Sequence, residues 1–186
     1  ALKSGERLTV QNLLYALLLQ SNNDAALALA SHIGGSTPNF VQIMNQKARS
    51  LGALHSKFFN PTGMPHRGQV TTASDLALIT KVALANPEFR RIVATKSYPW
   101  KSSTWEGTMD NSNELLKSYT GAIGVKTGST REAGHCLVAA AQRENKTLIA
   151  VVLGSQEKQV WEDAKKLLDH GFKTLDALSG KPLTSR

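Results

Sequence analysis

Two short clusters in this sequence carry residue types that acyl transfer uses: Ser21-Asn22-Asn23 and Lys126-Thr127-Gly128-Ser129. Acyl transfer at a serine needs the nucleophile, a nearby base, a proton path to the leaving group and donors for the oxyanion. In an extended backbone alternate residues point the same way, so Ser21 and Asn23 would face one side of their segment. On a strand, Lys126 and Gly128 share a face while Thr127 takes the other. The lysine supplies positive charge, and the glycine lets an extended ligand lie against the strand backbone. Taken singly, each cluster also reads as plain structure. Ser21-Asn22-Asn23 would be an interhelical turn with Asp24 capping the next helix, and Lys126-Thr127-Gly128 a solvent-exposed strand end. Their order, separation and surroundings give them joint weight.

The surroundings are helical first and β-rich last. Thr9 is an N-cap for a helix over Val10 to Gln20, apolar on nearly every side and so expected to be buried. Asp24 is expected to cap a helix from Ala25 to Ile33, ended by Gly34-Gly35. Thr37-Pro38 opens another, with Phe40, Ile43, Met44 and Ala48 as its inner face, before Gly52 closes it. Thr72 or Ser74 caps a helix from Ala73 to Ala85 that Asn86-Pro87 ends. Tyr98, Trp100, Thr104, Trp105 and Met109 alternate in part and suggest a hairpin, with the tryptophans packing at its turn. Gly121 to Thr127, Gly134 to Gln142 and Thr147 to Leu153 read as three strands, the last two antiparallel across Arg143-Glu144-Asn145-Lys146. A closing amphipathic helix runs from about Lys158 to Phe172. Helices, then a meander, then one covering helix is an α+β order.

Composition excludes several alternatives. The 186 residues, 41% hydrophobic and 19% charged, can bury a core without disulfides or a structural metal. The formal charge of +8 is spread along the chain without a polybasic run, and aromatics are only 6%, so a solvated basic surface, of a kind that could face an anionic polymer, is preferred over nucleic-acid binding. No stretch approaches the roughly 20 apolar residues of a membrane span. His32, His55, His66, His135 and His170 lack metal-ligand spacing. Cys136, the only cysteine, reads as a small buried strand residue.

Penicillin-binding proteins and serine β-lactamases use Ser-x-x-Lys, Ser-x-Asn and Lys-Thr-Gly, and two of these are present in the family order. The chain resembles the low-molecular-mass D-Ala-D-Ala carboxypeptidases from Gly5 to about Phe172. The likeness runs through Leu8 to Ala26, Phe40 to Leu51, Phe59-Asn60-Pro61-Thr62-Gly63-Met64, Thr72 to Ala77, and most strongly Gly124-Val125-Lys126-Thr127-Gly128-Ser129-Thr130 with Ala133-Gly134 and Leu137 to Ala141. It implies a penicillin-binding protein/serine β-lactamase-like transpeptidase fold, a helical cluster plus an antiparallel sheet, here without the N-terminal strands and nucleophile helix. It also implies removal of terminal D-alanine from a peptidoglycan pentapeptide through an acyl-serine, acylation by β-lactams, an extracytoplasmic location, and no cofactor or metal. Nucleic acid is not an expected partner, and any membrane association would lie in segments outside this chain. By the same resemblance Ser21, Asn23 and Lys126 are catalytic, and Thr127, Gly128 and Ser129 bind substrate. Ser21 would relay a proton to the leaving amine, Asn23 would hydrogen-bond the substrate amide, Lys126 would meet the substrate carboxylate, and the Ser129 N–H would be one oxyanion donor.

One departure matters. The nucleophile motif lies well upstream of Ser-x-Asn in the family, and the only Ser-x-x-Lys here, Ser155-Gln156-Glu157-Lys158, follows Lys-Thr-Gly in the wrong order. Residues 1–173 are therefore expected to be part of a catalytic domain, with 174–186 the start of a linker or tail, and the fragment alone to be inactive and poorly stable. A β-lactamase of the glutamate-and-water type would need Glu-x-x-x-Asn between the two motifs. Glu88, Glu106 and Glu114 are followed at that spacing by Ile92, Asp110 and Ser118. A noncatalytic binder of cell-wall peptide is the remaining alternative.

Overall fold

The computed structural model describes residues 2–3, 5–102 and 105–179; Thr104 of the expected hairpin and residues 180–186 of the expected tail lie outside them. Thr9 accepts the Asn12 N–H at 3.1 Å and starts α1, Val10–Gln20. Ser21 ends it in the left-handed region, and Asn22 at once begins α2, Asn23–Gly34, by accepting the Ala25 N–H at 2.8 Å. The cap expected at Asp24 is thus two residues earlier. The link between the helices is so short that Asn22 is its last extended residue, and Asp24 sits inside the first turn, where its carboxylate accepts the Leu2 N–H.

Ser36 rather than Thr37 caps α3, Thr37–Ser50, and Thr72 caps α4, Ala73–Leu84. Asn86-Pro87 does more than stop α4. The Asn86 side chain accepts the Glu88 and Phe89 N–H groups and opens α5, Pro87–Val93, a helix the periodicity did not reveal. The inner face expected for α3 is only partly realised: Ala48 is buried, whereas Ile43 stays 44% exposed. Among the helices α3 packs chiefly on α2, so most of its surface remains outside the core.

The expected hairpin is present as β1, Ser97–Lys101, and β2, Glu106–Asp110. A short α6, Leu115–Ser118, precedes the main sheet. That sheet is antiparallel throughout, in the order β3-β4-β5: Ala122–Thr130, Gly134–Arg143 and Lys146–Ser155. Arg143 and Lys146 pair within the ladder, which shortens the expected four-residue turn to Glu144-Asn145. The closing helix α7 runs from Gln159 to Leu178, past the expected end at Phe172.

Two apolar clusters hold these parts, and a third joins them. Leu13, Tyr15, Ala16 and Leu19 of α1 pack with Ala25 and Leu29 of α2, Ile92, and Trp100 and Met109 of the hairpin. Leu137, Ala139 and Ala141 on one face of β4 meet Val160, Ala164, Leu168 and Phe172, which repeat every four residues along α7. Ala140, on the opposite face, contacts the cluster of Leu84, Val93 and Val125. Burial on both faces explains why β4 reads as a continuous apolar run rather than an alternation. Cys136 at its start is half-buried, less enclosed than expected. The strand β3 lies at one edge of the sheet, and β5, on the other, pairs with β4 alone among the described residues. A groove of about 290 Å³ lined by Ala73, Ala77, Ile149, Val151 and Leu167 runs along that open side.

Candidate active site

Different devices place the two clusters against each other. Ser21 adopts φ 57°, a region that costs a residue with a Cβ about 1 kcal/mol. The following residue is extended and Asn23 already helical. The expected extended run, with Ser21 and Asn23 facing one way by alternation, is therefore replaced by a sharp break between two helices. Ser21 is exposed at the end of α1, and Asn23 stands exposed at the first position of α2.

On the other side, β3 supplies Lys126. Its Nζ donates to Ser21 Oγ at 2.7 Å and to the Thr127 carbonyl oxygen at 2.6 Å. No carboxylate pairs with it among the described residues, and burial pushes its pKa down to about 8. Two of the expected site residues, 105 positions apart, are thus joined directly. Thr127 points to a residue that sequence reasoning missed: its Oγ1 lies 2.7 Å from Ser112 Oγ.

Ser112 is held from both sides. Its N–H donates to the Leu19 carbonyl at 3.1 Å, so the end of α1 and the Lys-Thr-Gly strand are bridged through one residue. Gln20 adds a side-chain hydrogen bond to the Asp110 carbonyl. The buried neighbours Asn111 and Asn113 fix the turn. Asn111 Nδ2 donates to the Val93 and Thr95 carbonyls, its Oδ1 accepts the Asn113 N–H, and Asn113 Oδ1 accepts the Leu115 N–H. The signal available in the sequence was the dense run Asn111-Ser112-Asn113, whose side chains commonly cap and bridge turns.

Gly128 and Ser129 continue along the edge strand, both exposed. A Cβ built at Gly128 would meet no heavy atom within 4 Å, so the fold itself does not demand glycine there. As an edge strand, β3 also presents backbone groups unpaired on the side away from β4. The site therefore offers a hydroxyl held by a partly desolvated cation, a second hydroxyl pair, and an open strand edge. Among the described residues no side-chain hydrogen bond joins Asn23 or Ser129 to Lys126. The wrongly ordered Ser155 is committed elsewhere, donating to Asp163 at 2.8 Å.

Comparisons with known proteins identify the family. The family model for D-alanyl-D-alanine carboxypeptidase matches residues 1–157. A D-alanyl-D-alanine carboxypeptidase of Streptomyces is 42% identical over 181 residues, covering 90% of this chain and 62% of that protein. The carboxypeptidase DacF of Bacillus subtilis is 38% identical over 173 residues, 92% of this chain and 44% of its own. The chain thus spans about half the length of the curated relatives it matches. The crystal structure of the Streptomyces K15 DD-transpeptidase superposes with a TM-score of 0.86 at 40% identity, over 92% of this chain and 71% of that one. With a family match across most of its length and relatives of this similarity, the chain belongs to the D-alanyl-D-alanine carboxypeptidase family.

Proposed function

We propose that the protein to which these residues belong is a serine-type D-alanyl-D-alanine carboxypeptidase that acts on peptidoglycan stem peptides outside the cytoplasmic membrane and is acylated by β-lactams. Residues 1–173 form part of its catalytic domain, and the helix α7 extends that body to Leu178, past the boundary expected at 174. The observation that carries the reading is the 2.7 Å hydrogen bond from Lys126 to Ser21, made by a cation with no carboxylate partner among the described residues. The acylating serine and its companion lysine come from residues outside these 186.

In the acylation step, that serine attacks the carbonyl of the penultimate D-alanine while the bond to the terminal D-alanine breaks. The leaving amine must gain a proton. The attacking serine gives its proton to the companion lysine; because Lys126 donates to Ser21 Oγ, the Ser21 hydroxyl hydrogen is free to pass to that nitrogen, and the companion lysine returns its proton to Ser21 Oγ. The same lysine offers its charge to the terminal carboxylate, with the Ser112–Thr127 hydroxyl pair beside it. Asn23 hydrogen-bonds the substrate amide, and the peptide lies along β3 where Gly128 has no side chain. The Ser129 N–H contributes to the oxyanion site. Water or an amine then resolves the acyl-enzyme.

Incubating the full-length protein with fluorescent penicillin and with a D-Ala-D-Ala-terminated pentapeptide tests the proposal. Covalent labelling together with D-alanine release is expected. Peptide binding without either would favour a noncatalytic binder of the same ligand and overturn the enzymatic reading.

A further inference from the structure

Away from the Ser21–Lys126 site, a groove of about 640 Å³ lies between α3 and the segment that follows it. Gln42, Gln46 and Arg49 lie on its α3 side, and His55 and Lys57 on the other. The walls are fixed rather than loose. Asn45 Nδ2 donates to the Phe58 carbonyl at 2.7 Å and its Oδ1 accepts the Phe58 N–H at 2.9 Å, clamping the segment to the helix. Lys57 and Val70 exchange two backbone hydrogen bonds at 2.8 and 3.1 Å.

The charge of this region is one-sided. No aspartate or glutamate occurs between Asp24 and Asp75, while Lys47, Arg49, Lys57 and Arg67 all fall there. The nearest carboxylate, Asp75, is only 4% exposed. It is occupied by the His55 N–H and the Ser56 hydroxyl, both at 2.8 Å, with His55 Nδ1 at 3.8 Å. Neither Arg49 nor Lys57 has a carboxylate partner among the described residues; the Lys57 ammonium rests 5.0 Å from the centre of the Phe59 ring. Aliphatic side chains are interleaved with these cations: Leu54 is 69% and Val70 55% exposed at the groove. Among the described residues no phenylalanine, tyrosine or tryptophan lines it, and the His55 imidazole is the one ring on its wall, so successive bases or sugars would find no run of stacking platforms.

We infer that this groove is a docking site for an acidic peptide segment of a partner protein, one that alternates carboxylates with aliphatic residues. Carboxylates meet Arg49 and Lys57, aliphatic side chains cover Leu54 and Val70, and Gln42 and Gln46 reach the peptide backbone. Along α3, Gln42 and Arg49 are separated by about 10 Å, the length of about three extended residues, so a short segment fills it.

A labelled peptide of about six residues alternating Glu and Leu, with its Gln counterpart, tests this on the full-length protein by fluorescence anisotropy. The Glu peptide is expected to bind about tenfold tighter at low salt and to lose that margin near molar salt, where screening removes exposed pairs. The double variant Arg49→Glu, Lys57→Glu should erase the preference, whereas Lys166→Glu, Lys173→Glu on α7 makes the same charge change and should keep it. Carbodiimide coupling on the unaltered chain gives an independent reading: the peptide carboxylates are expected to join Lys57. Equal binding of the Gln peptide, equal loss from the α7 variant, or coupling mainly at other lysines would overturn the site. Displacement by single-stranded DNA or alginate at matched charge, in preference to the peptide, would overturn the assignment to a protein partner.

Discussion

The two sides of the candidate active site reach similar precision by different means. On the helical side Ser21 sits in the left-handed region between two helix ends, and the backbone break that aims it is made within a few positions in sequence. On the sheet side, Lys126 and Thr127 are placed by pairing with β4, where Lys126 faces Val138 and Thr127 faces Leu137. Those pairs depend in turn on β5 and α7. Local geometry therefore governs one side and register the other. Besides the direct Lys126–Ser21 bond, Ser112 ties them, through Leu19 in one direction and Thr127 in the other.

That contrast can be broken from its strongest element downward. Lys126→Ala in the full-length protein should lower penicillin acylation by about 100- to 1000-fold, comparable to losing one preorganised charge-stabilising group, with the thermal midpoint unchanged or raised because a desolvated cation is removed. Leu137→Ala, at a position 1% exposed, should cost about 2–5 kcal/mol in chemical denaturation. It should disturb Lys126 by loosening the partner of Thr127, while the capped turn at Ser21 keeps its geometry. Ser21→Gly should separate function from fold on the other side. Glycine accepts φ 57° without a Cβ penalty, so stability should hold or rise by up to about 1 kcal/mol while acylation collapses. The smallest effect belongs to Ser112→Ala, about 0.5–1.5 kcal/mol in stability for one lost hydrogen bond. Its binding constant for carboxylate-bearing β-lactams should weaken more than its acylation rate.

The pH dependence follows from the lowered pKa of Lys126, about 8 against an ordinary 10.5. Below 8 the folded protein holds the charge, so carboxylate capture is intact. As pH rises through 8 the charge leaves, and acylation should decline on an alkaline limb centred there, absent in Lys126→Arg. The stability term runs the other way. The unfolded chain keeps its proton up to about 10.5, so the cost of burying the cation is fully present below 8 and is relieved between 8 and 10.5. Rate and midpoint measured together from pH 6 to 10 should therefore move in opposite directions.

Much of this was readable beforehand wherever one local rule governed. Thr9 capping α1, the apolar run of β4, and Lys126 on a strand required only capping preference and patterning. The conformation of Ser21 was not readable, since a serine in the left-handed region has no signature distinguishing it from an extended one. The helix α5 was hidden because Asn86-Pro87 signals an ending as strongly as a beginning. The face of α3 misled because its spacing is amphipathic, yet no second layer arrives to cover Ile43. Ser112 acts through contacts 93 and 15 residues away, to Leu19 and Thr127, which no window of sequence connects.

The desolvation that prepares Lys126 for an anion also alters its own reactivity. An amine titrating near 8 is about 10% free base at neutral pH, against well under 1% for an ordinary lysine. Electrophiles that acylate or carbamylate amines slowly should therefore select this side chain over the surface lysines. Mild labelling with limiting reagent, followed by peptide mapping, would place a single tag at the centre of the site, and an occupying carboxylate ligand would protect it.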